Sequence, residues 1–314
     1  MEKIKKYPLI SFVTIAYGIT WLSALPLAVS GISETEILVL FGLFGPVLSA
    51  YIVTRAIHPA PLIDRDPWFW WVFLGVFVTG TLIYTLDAHL RNGTPIVVAL
   101  IVFPFPSLLL AWMVASAWSR RPAIRDFFSS LVHPTGPWWV YAFVLLYFPV
   151  SHYVATFVLE EEYGLWPKDQ AGPAYLGLWV IVFLKIFLFS GGVNEESGWR
   201  GFLLRGLLEK FNPILATFVI WIIWAVWHLP IELGPLSNMT INDVAVKWLW
   251  MIAPTALLTW AYIRSGGSIL ACALLHTTMN VTSEFIPITL PAQLVTILVA
   301  VGLFIEMQGW RSDP

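Results

Sequence analysis

An all-α fold, a polytopic transmembrane helical bundle, is what this sequence predicts, and three observations predict it. Of its 314 residues, 58% are hydrophobic and only 11% are charged. A soluble globular domain carries roughly 25% charge and 45–50% apolar residues. The apolar residues fall in runs long enough to cross a bilayer, which takes about 20 residues of helix. No run alternates as a strand would, and an open sheet edge facing lipid would leave backbone groups unsatisfied. This composition excludes a soluble enzyme, a disordered chain and a basic nucleic-acid binder. One cysteine, Cys272, excludes an internal disulfide and a cysteine-only metal site.

About ten spans are expected from the apolar run lengths. They cover residues 8–29, 36–56, 67–86, 95–118, 138–159, 174–196, 212–231, 244–263, 267–285 and 288–307. The first follows Lys3, Lys5 and Lys6. Its apolar run, Leu9 to Val29, is about twice the length of a signal-peptide core, so it reads as a retained span. The second begins after Ser30 to Glu36, the third after His58 to Pro67 and the fourth after Asp87 to Pro95. Arg120 to Pro137 separates the fourth from the fifth, and Glu160 to Pro173 the fifth from the sixth. Phe211-Asn212-Pro213 is the turn before the seventh, because Pro starts helices well and interrupts them internally.

Orientation follows from the Lys and Arg count by loop. With the N-terminus inside, the inner segments hold Lys3, Lys5, Lys6, Arg55, Arg65, Arg120, Arg121, Arg125, Arg200, Arg205, Lys210, Arg264 and Arg311. The outer segments hold Arg91, Lys168 and Lys247, and Lys185 lies within a span. Thirteen against three places both termini in the cytoplasm and suits an even number of spans. The expected location is the cell membrane. The acidic run Glu160-Glu161-Glu162 falls outside.

Ionisable residues are distributed unevenly. In the first five spans, His152 is the one well inside a helix. From residue 174 onwards the spans carry Lys185, Glu195, Glu196, His228, His276 and the amide Asn280. The chain therefore divides into a scaffold, residues 1–173, and a functional half, residues 174–308. No repeat at a fixed period is visible, which counts against an inverted-repeat transporter.

A charge at bilayer depth costs several kcal/mol unless it meets a partner or a polar cavity, so each of these residues is a functional candidate. Glu195 lies 16 residues before Phe211, and His228 lies 16 residues after Asn212. In an antiparallel pair both would stand roughly 24 Å from the turn, at one depth. His276 and Asn280, spaced i, i+4, share a helix face. A carboxylate, two imidazoles and an amide can thus converge, which is a set for adding water to a carbonyl. The carboxylate can act as base and an imidazole can orient the water. The other imidazole and the amide can donate to an oxyanion. Glu196 and Arg200, also i, i+4, form a supporting pair.

Glu195-Glu196-x-x-x-Arg200, Trp224-x-x-x-His228 and His276-x-x-x-Asn280 resemble the three signature motifs of the CPBP family. That group takes in the CAAX prenyl protease 2 and bacterial abortive-infectivity-type proteins. The resemblance covers about residues 175–285, including Trp199-Arg200-Gly201-Phe202 and Trp227-His228-Leu229-Pro230. It implies an intramembrane endopeptidase acting on a membrane-associated peptide or protein, lipid-modified or not. Glu195 would activate water with His276, His228 and Asn280 would form the oxyanion site, and Glu196 and Arg200 would support them. Trp224 departs from the Phe usual there.

Two alternatives stay open on the residues. Glu195, His228 and His276 are a set that could hold zinc, which would make the chain a metalloprotease. Asn280 is a poor zinc ligand and a good oxyanion donor, so no cofactor is the expectation. The second alternative is a non-catalytic membrane protein that binds or transports a peptide or lipid. Taken singly the motifs have blander readings: solvated carboxylates at a helix end, a histidine in the aromatic belt, or interhelical polar contacts. Lys185 is expected to snorkel or pair, Glu284 to be a helix-end charge, and Cys272 to be a small packing residue.

Overall fold

The computed structural model describes residues 2–30, 41–59, 67–158, 173–234 and 237–309, and among them every regular element is a helix. A short helix, Glu2–Lys6, leads into α1 (Pro8–Ser30), α2 (Gly45–Ile57), α3 (Pro67–Asn92), α4 (Ile96–Val102) and α5 (Pro104–Ala115). Then come α6 (Pro122–Val132), α7 (Trp138–Tyr153), α8 (Pro173–Phe189), α9 (Val193–Gly198) and α10 (Arg205–Leu208). The chain closes with α11 (Pro213–Trp227), α12 (Leu229–Glu232), α13 (Ile241–Arg264), α14 (Ile269–Phe285) and α15 (Leu290–Gln308).

Local chemistry sets the helix starts. Proline opens α1, α3, α5, α6, α8 and α11, where its missing N–H costs nothing and its fixed φ suits the first turn. Asn212, Ser268 and Thr289 cap α11, α14 and α15 by accepting from Leu215, Ala271 and Ala292 backbone N–H groups. Thr240 and Asp243 form a reciprocal capping box on α13.

Six helical stretches are long and apolar enough to cross a membrane: Pro8–Pro26, Pro67–Asn92, Trp138–Thr156, Tyr175–Leu208, Ile241–Arg264 and Leu290–Gln308. The pair α4–α5, bent by 48°, makes a seventh if counted as one span. Its bend falls at Phe103-Pro104, where proline removes a backbone donor and clashes with the preceding turn. The protein is a polytopic integral membrane protein. The other three of the ten expected segments carry α2, α11 and α14, of 13, 15 and 17 residues. All three are too short to count by length, and of them α11 qualifies as a shorter apolar helix. Residues 36–40 of the second expected segment, and Arg65, Glu160 to Glu162, Lys168 and Arg311, lie outside the described residues.

Helix α3 runs past the expected end at residue 86, so Asp87 sits in the helix and not in a connector. It is buried, with Lys185 Nζ 3.6 Å and Arg91 Nη1 3.7 Å away. Lys185 therefore pairs, and Glu284 is bonded to Arg91 at 2.7 Å. These contacts tie α3 to α8 and α14. His152 is buried against the Phe148 ring.

The hydrophobic core mixes both ends of the sequence: Phe12, Phe44 and Val47 share it with Trp199, Leu203 and Trp227. Trp227 Nε1 donates to Thr20 Oγ1 at 2.8 Å, and Trp21 Nε1 to the Trp227 carbonyl at 3.2 Å. Helix α9 meets α2 at Gly198. A Cβ there would stand 2.4 Å from the Pro46 carbonyl carbon. Small residues are what let helix backbones approach this closely in a membrane. Gly198→Ala is expected to cost about 1–3 kcal/mol, because backbone must move. Thermal melting of the solubilised protein, compared with Gly18→Ala, where a Cβ meets nothing within 4 Å, measures it.

Candidate active site

Helix α8 stops at Phe189, and Ser190-Gly191-Gly192 turns the chain before α9 starts. Gly191 has φ +107, a conformation that side-chain-bearing residues rarely adopt. The turn is fixed by Asn194: its Oδ1 accepts from the Gly191 N–H at 3.1 Å, and its Nδ2 donates to the Leu43 carbonyl at 2.9 Å. The next two residues are the carboxylates. Adjacent helical positions diverge by about 100°, so Glu195 and Glu196 meet different partners.

Glu196 is fully buried, and its Oε1 accepts from Arg200 Nη1 at 2.8 Å and from His276 Nδ1 at 2.7 Å. Arg200 is likewise fully buried. It was counted above with the inner segments, and its charge instead neutralises a carboxylate one turn back. Arg200 lies in a π-helical stretch, Trp199–Leu204, that leads into α10. Glu196 Oε2 and Arg200 Nε and Nη2 are buried with no partner among the described residues. Removing either charge would therefore strand the other in a dry setting.

Glu195, also buried, takes its hydrogen bond from α11: Trp224 Nε1 donates to Oε2 at 3.0 Å. The equal spacing about Asn212 led to the expectation of His228 at the depth of Glu195; the hydrogen bond observed comes from Trp224, one turn before His228. His228 follows α11, and its Nδ1 lies 2.8 Å from the Trp224 carbonyl oxygen. A carbonyl only accepts, so Nδ1 carries the proton and Nε2 of the neutral ring has a lone pair. The ring sits edge-on to Trp224 and Trp227.

His276 and Asn280 come together as their spacing predicts. A Cβ built on Gly191 would stand 2.8 Å from His276 Nε2 and 2.9 Å from Asn280 Nδ2. The bare glycine therefore leaves open the space that both nitrogens face. Asn280 Nδ2 also donates to the Ser190 carbonyl at 3.2 Å. With Nδ1 on Glu196, His276 presents Nε2 to this space. The structure brings the six residues into three linked groups: Glu195 with Trp224 and His228, Glu196 with Arg200 and His276, and His276 with Asn280. No direct hydrogen bond joins Glu195 to His276 among the described residues. Nor does any group of three His, Cys, Asp or Glu side chains there sit close enough to hold a metal ion. The zinc set Glu195, His228 and His276 is not assembled as ligands in this arrangement.

Three contributors, Asn194, Gly191 and Glu232, were not singled out in the sequence, and Trp224 was named for its ring alone. Asn194 and Gly191 sit inside or beside the first motif, but the φ of one and the long-range bond of the other depend on folding. Trp224 was read as a ring, and its indole N–H is what reaches Glu195. Glu232, buried one turn beyond His228, accepts from Trp248 Nε1 at 2.8 Å and pairs with Lys247 at 2.8 Å. Its i, i+4 spacing from His228 was the available signal. Cys272 is buried, with its thiol 3.6 Å from the Leu258 carbonyl oxygen, as a packing residue.

Residues 177–282 match a family described as type II CAAX prenyl endopeptidase Rce1-like, and this stretch holds all three motifs. CAAX prenyl protease 2 of Methanococcus maripaludis is 24% identical over 110 residues, covering 32% of this chain and 40% of that protein. The chain thus spans well under half the length of the curated relative it matches.

Proposed function

Taking residues 177–282 as Rce1-like, we propose that the protein is an intramembrane endopeptidase. It would hydrolyse a peptide bond of a membrane-associated peptide or protein, lipid-modified ones included. The observation that carries this reading is the linkage of the three motif helices through Trp224–Glu195 and Glu196–His276. Binding alone does not require a buried carboxylate, two oriented imidazoles and an amide in one place.

In this mechanism a water held by Glu195 and the Nε2 lone pair of His228 attacks the carbonyl, and Glu195 takes its proton. Trp224 supports that pair, because its indole and its carbonyl hold one member each. The oxyanion is met on the Gly191 side by the Asn280 amide and His276 Nε2–H. His276 is the imidazole backed by a carboxylate, so it can present a proton there while Glu196 balances the charge. This exchanges the two imidazoles relative to the roles the motif resemblance implies. Arg200 holds Glu196 in place. Protonation of the leaving amine by Glu195 completes the cycle. By the loop charge count, both termini face the cytoplasm of the cell membrane.

We also infer that the chemistry needs no metal, since Asn280 is a poor zinc ligand and no three His, Cys, Asp or Glu side chains among the described residues are grouped to hold an ion. The test is reconstitution in liposomes with membrane-associated peptides and identification of products by mass spectrometry. Internal cleavage that persists within about twofold after exhaustive chelation is the expected result. Cleavage lost on chelation and restored by zinc would establish the metalloprotease instead. Peptide binding without any product would establish the non-catalytic alternative.

A further inference from the structure

Trp224 is the residue in which the three motifs meet. Its indole N–H donates to Glu195 Oε2 at 3.0 Å. Its carbonyl oxygen takes His228 Nδ1 at 2.8 Å. Its ring lies edge-on to His276 with centroids 5.3 Å apart, and the Arg200 guanidinium stands 4.8 Å from the ring centroid. The side chain is itself buried at 2% exposure, packed between the helices that carry the charges.

The indole N–H differs from the other contacts. Packing and the edge contacts need only an aromatic ring, and the His228 contact needs only the backbone. The bond to Glu195 needs a ring donor, which phenylalanine lacks. Among the described residues this is the hydrogen bond Glu195 receives, and it engages Oε2 alone. A carboxylate with one oxygen anchored has one rotational setting, with Oε1 left for the incoming water. Without the anchor the group can turn about its last torsion, which is broad and nearly two-fold.

We propose that Trp224 is a positioning residue for the reaction, whose indole N–H fixes the Glu195 carboxylate with Oε1 presented to water. The inference rests on Glu195 being the base of the proposed hydrolysis. The N–H carries this role apart from the ring's packing. Trp221, on the same helix, offers a contrast: its Nε1 donates to the Trp248 carbonyl at 2.7 Å and to neither carboxylate.

The experiment compares Trp224→Phe with Trp221→Phe in the reconstituted full chain, measuring kcat, KM and the thermal midpoint. A lost hydrogen bond to a charged group predicts a fall in kcat of about tenfold or more for Trp224→Phe. KM should stay within about twofold, because the substrate does not touch the indole N–H. Trp221→Phe should retain the wild-type kcat. Placing 3-benzothienylalanine at 224, which keeps the shape of the indole and replaces N–H by sulfur, separates positioning from folding. It should reproduce the loss of kcat with the thermal midpoint unchanged. An unchanged kcat in that variant would overturn the proposal. If Glu195→Gln were also fully active, the fault would lie with the assignment of the base. An inactive Glu195→Gln beside a fully active benzothienyl variant would discard the positioning role alone.

Discussion

Glu195→Gln is expected to lower the cleavage rate by about 10³-fold or more, the loss that follows when a positioned general base is removed. The amide is the same size as the carboxylate, and its oxygen can still accept from Trp224 Nε1 at the observed 3.0 Å position. Packing and the thermal midpoint should therefore hold while the proton acceptor is gone. Single-turnover cleavage in liposomes, run beside a melting curve, reads both quantities. A folded Glu195→Gln protein that cleaves at the wild-type rate would move the base elsewhere. The contrast with Glu196→Gln is informative, because that change weakens contacts to Arg200 and His276 together and should also destabilise the fold.

Gly191→Ala is expected to be nearly as damaging, by a different route. The backbone at φ +107 strains any residue with a Cβ. The new methyl would enter the space faced by His276 Nε2 and Asn280 Nδ2, at 2.8 and 2.9 Å. Both side chains must then retreat. A displacement of about 1 Å in a catalytic group can cost on the order of 100-fold in rate, and here two groups move. Cleavage assays should show at least that loss, with a smaller fall in thermal stability. Gly191→Ala with near-normal turnover would mean that the oxyanion is not stabilised over residue 191.

Much of this site could be read before folding because membranes make charge conspicuous. Glu195, Glu196, His228 and His276 stand out in apolar helices, and helical spacing alone paired Glu196 with Arg200 and His276 with Asn280. The equal distances of Glu195 and His228 from Asn212 led to the expectation of a shared depth, and the bond present is the one from Trp224 to Glu195. What sequence could not supply was the long-range partner. Asp87 read as the edge of a connector because its counter-charge, Lys185, is far along the chain. Glu196 read as half of a local pair, although it also receives His276 across 80 positions. Trp224 offered a ring and a donor, and which of them mattered depended on where Glu195 would stand. Helix lengths were the other gap. Apolar residues continue beyond the ends of α2, α11 and α14, so the apolar runs read from composition are longer than the helices described there.

Those three short helices have a consequence for the lipid around them. At about 1.5 Å per residue, the 15 residues of α11 and the 17 of α14 measure roughly 22 and 25 Å. The hydrocarbon layer of a typical bilayer is about 30 Å thick. A hydrophobic length that falls short is met by local thinning of the bilayer, at a fraction of a kcal/mol per ångström. His228 directly follows α11, and His276 lies within α14. A bilayer that meets the lipid-facing side of these helices would thin there, which would draw headgroups and interfacial water toward the depth of the polar cluster. A hydrolytic reaction inside a membrane needs water where lipid would exclude it, and the mismatch shortens the distance that water must travel.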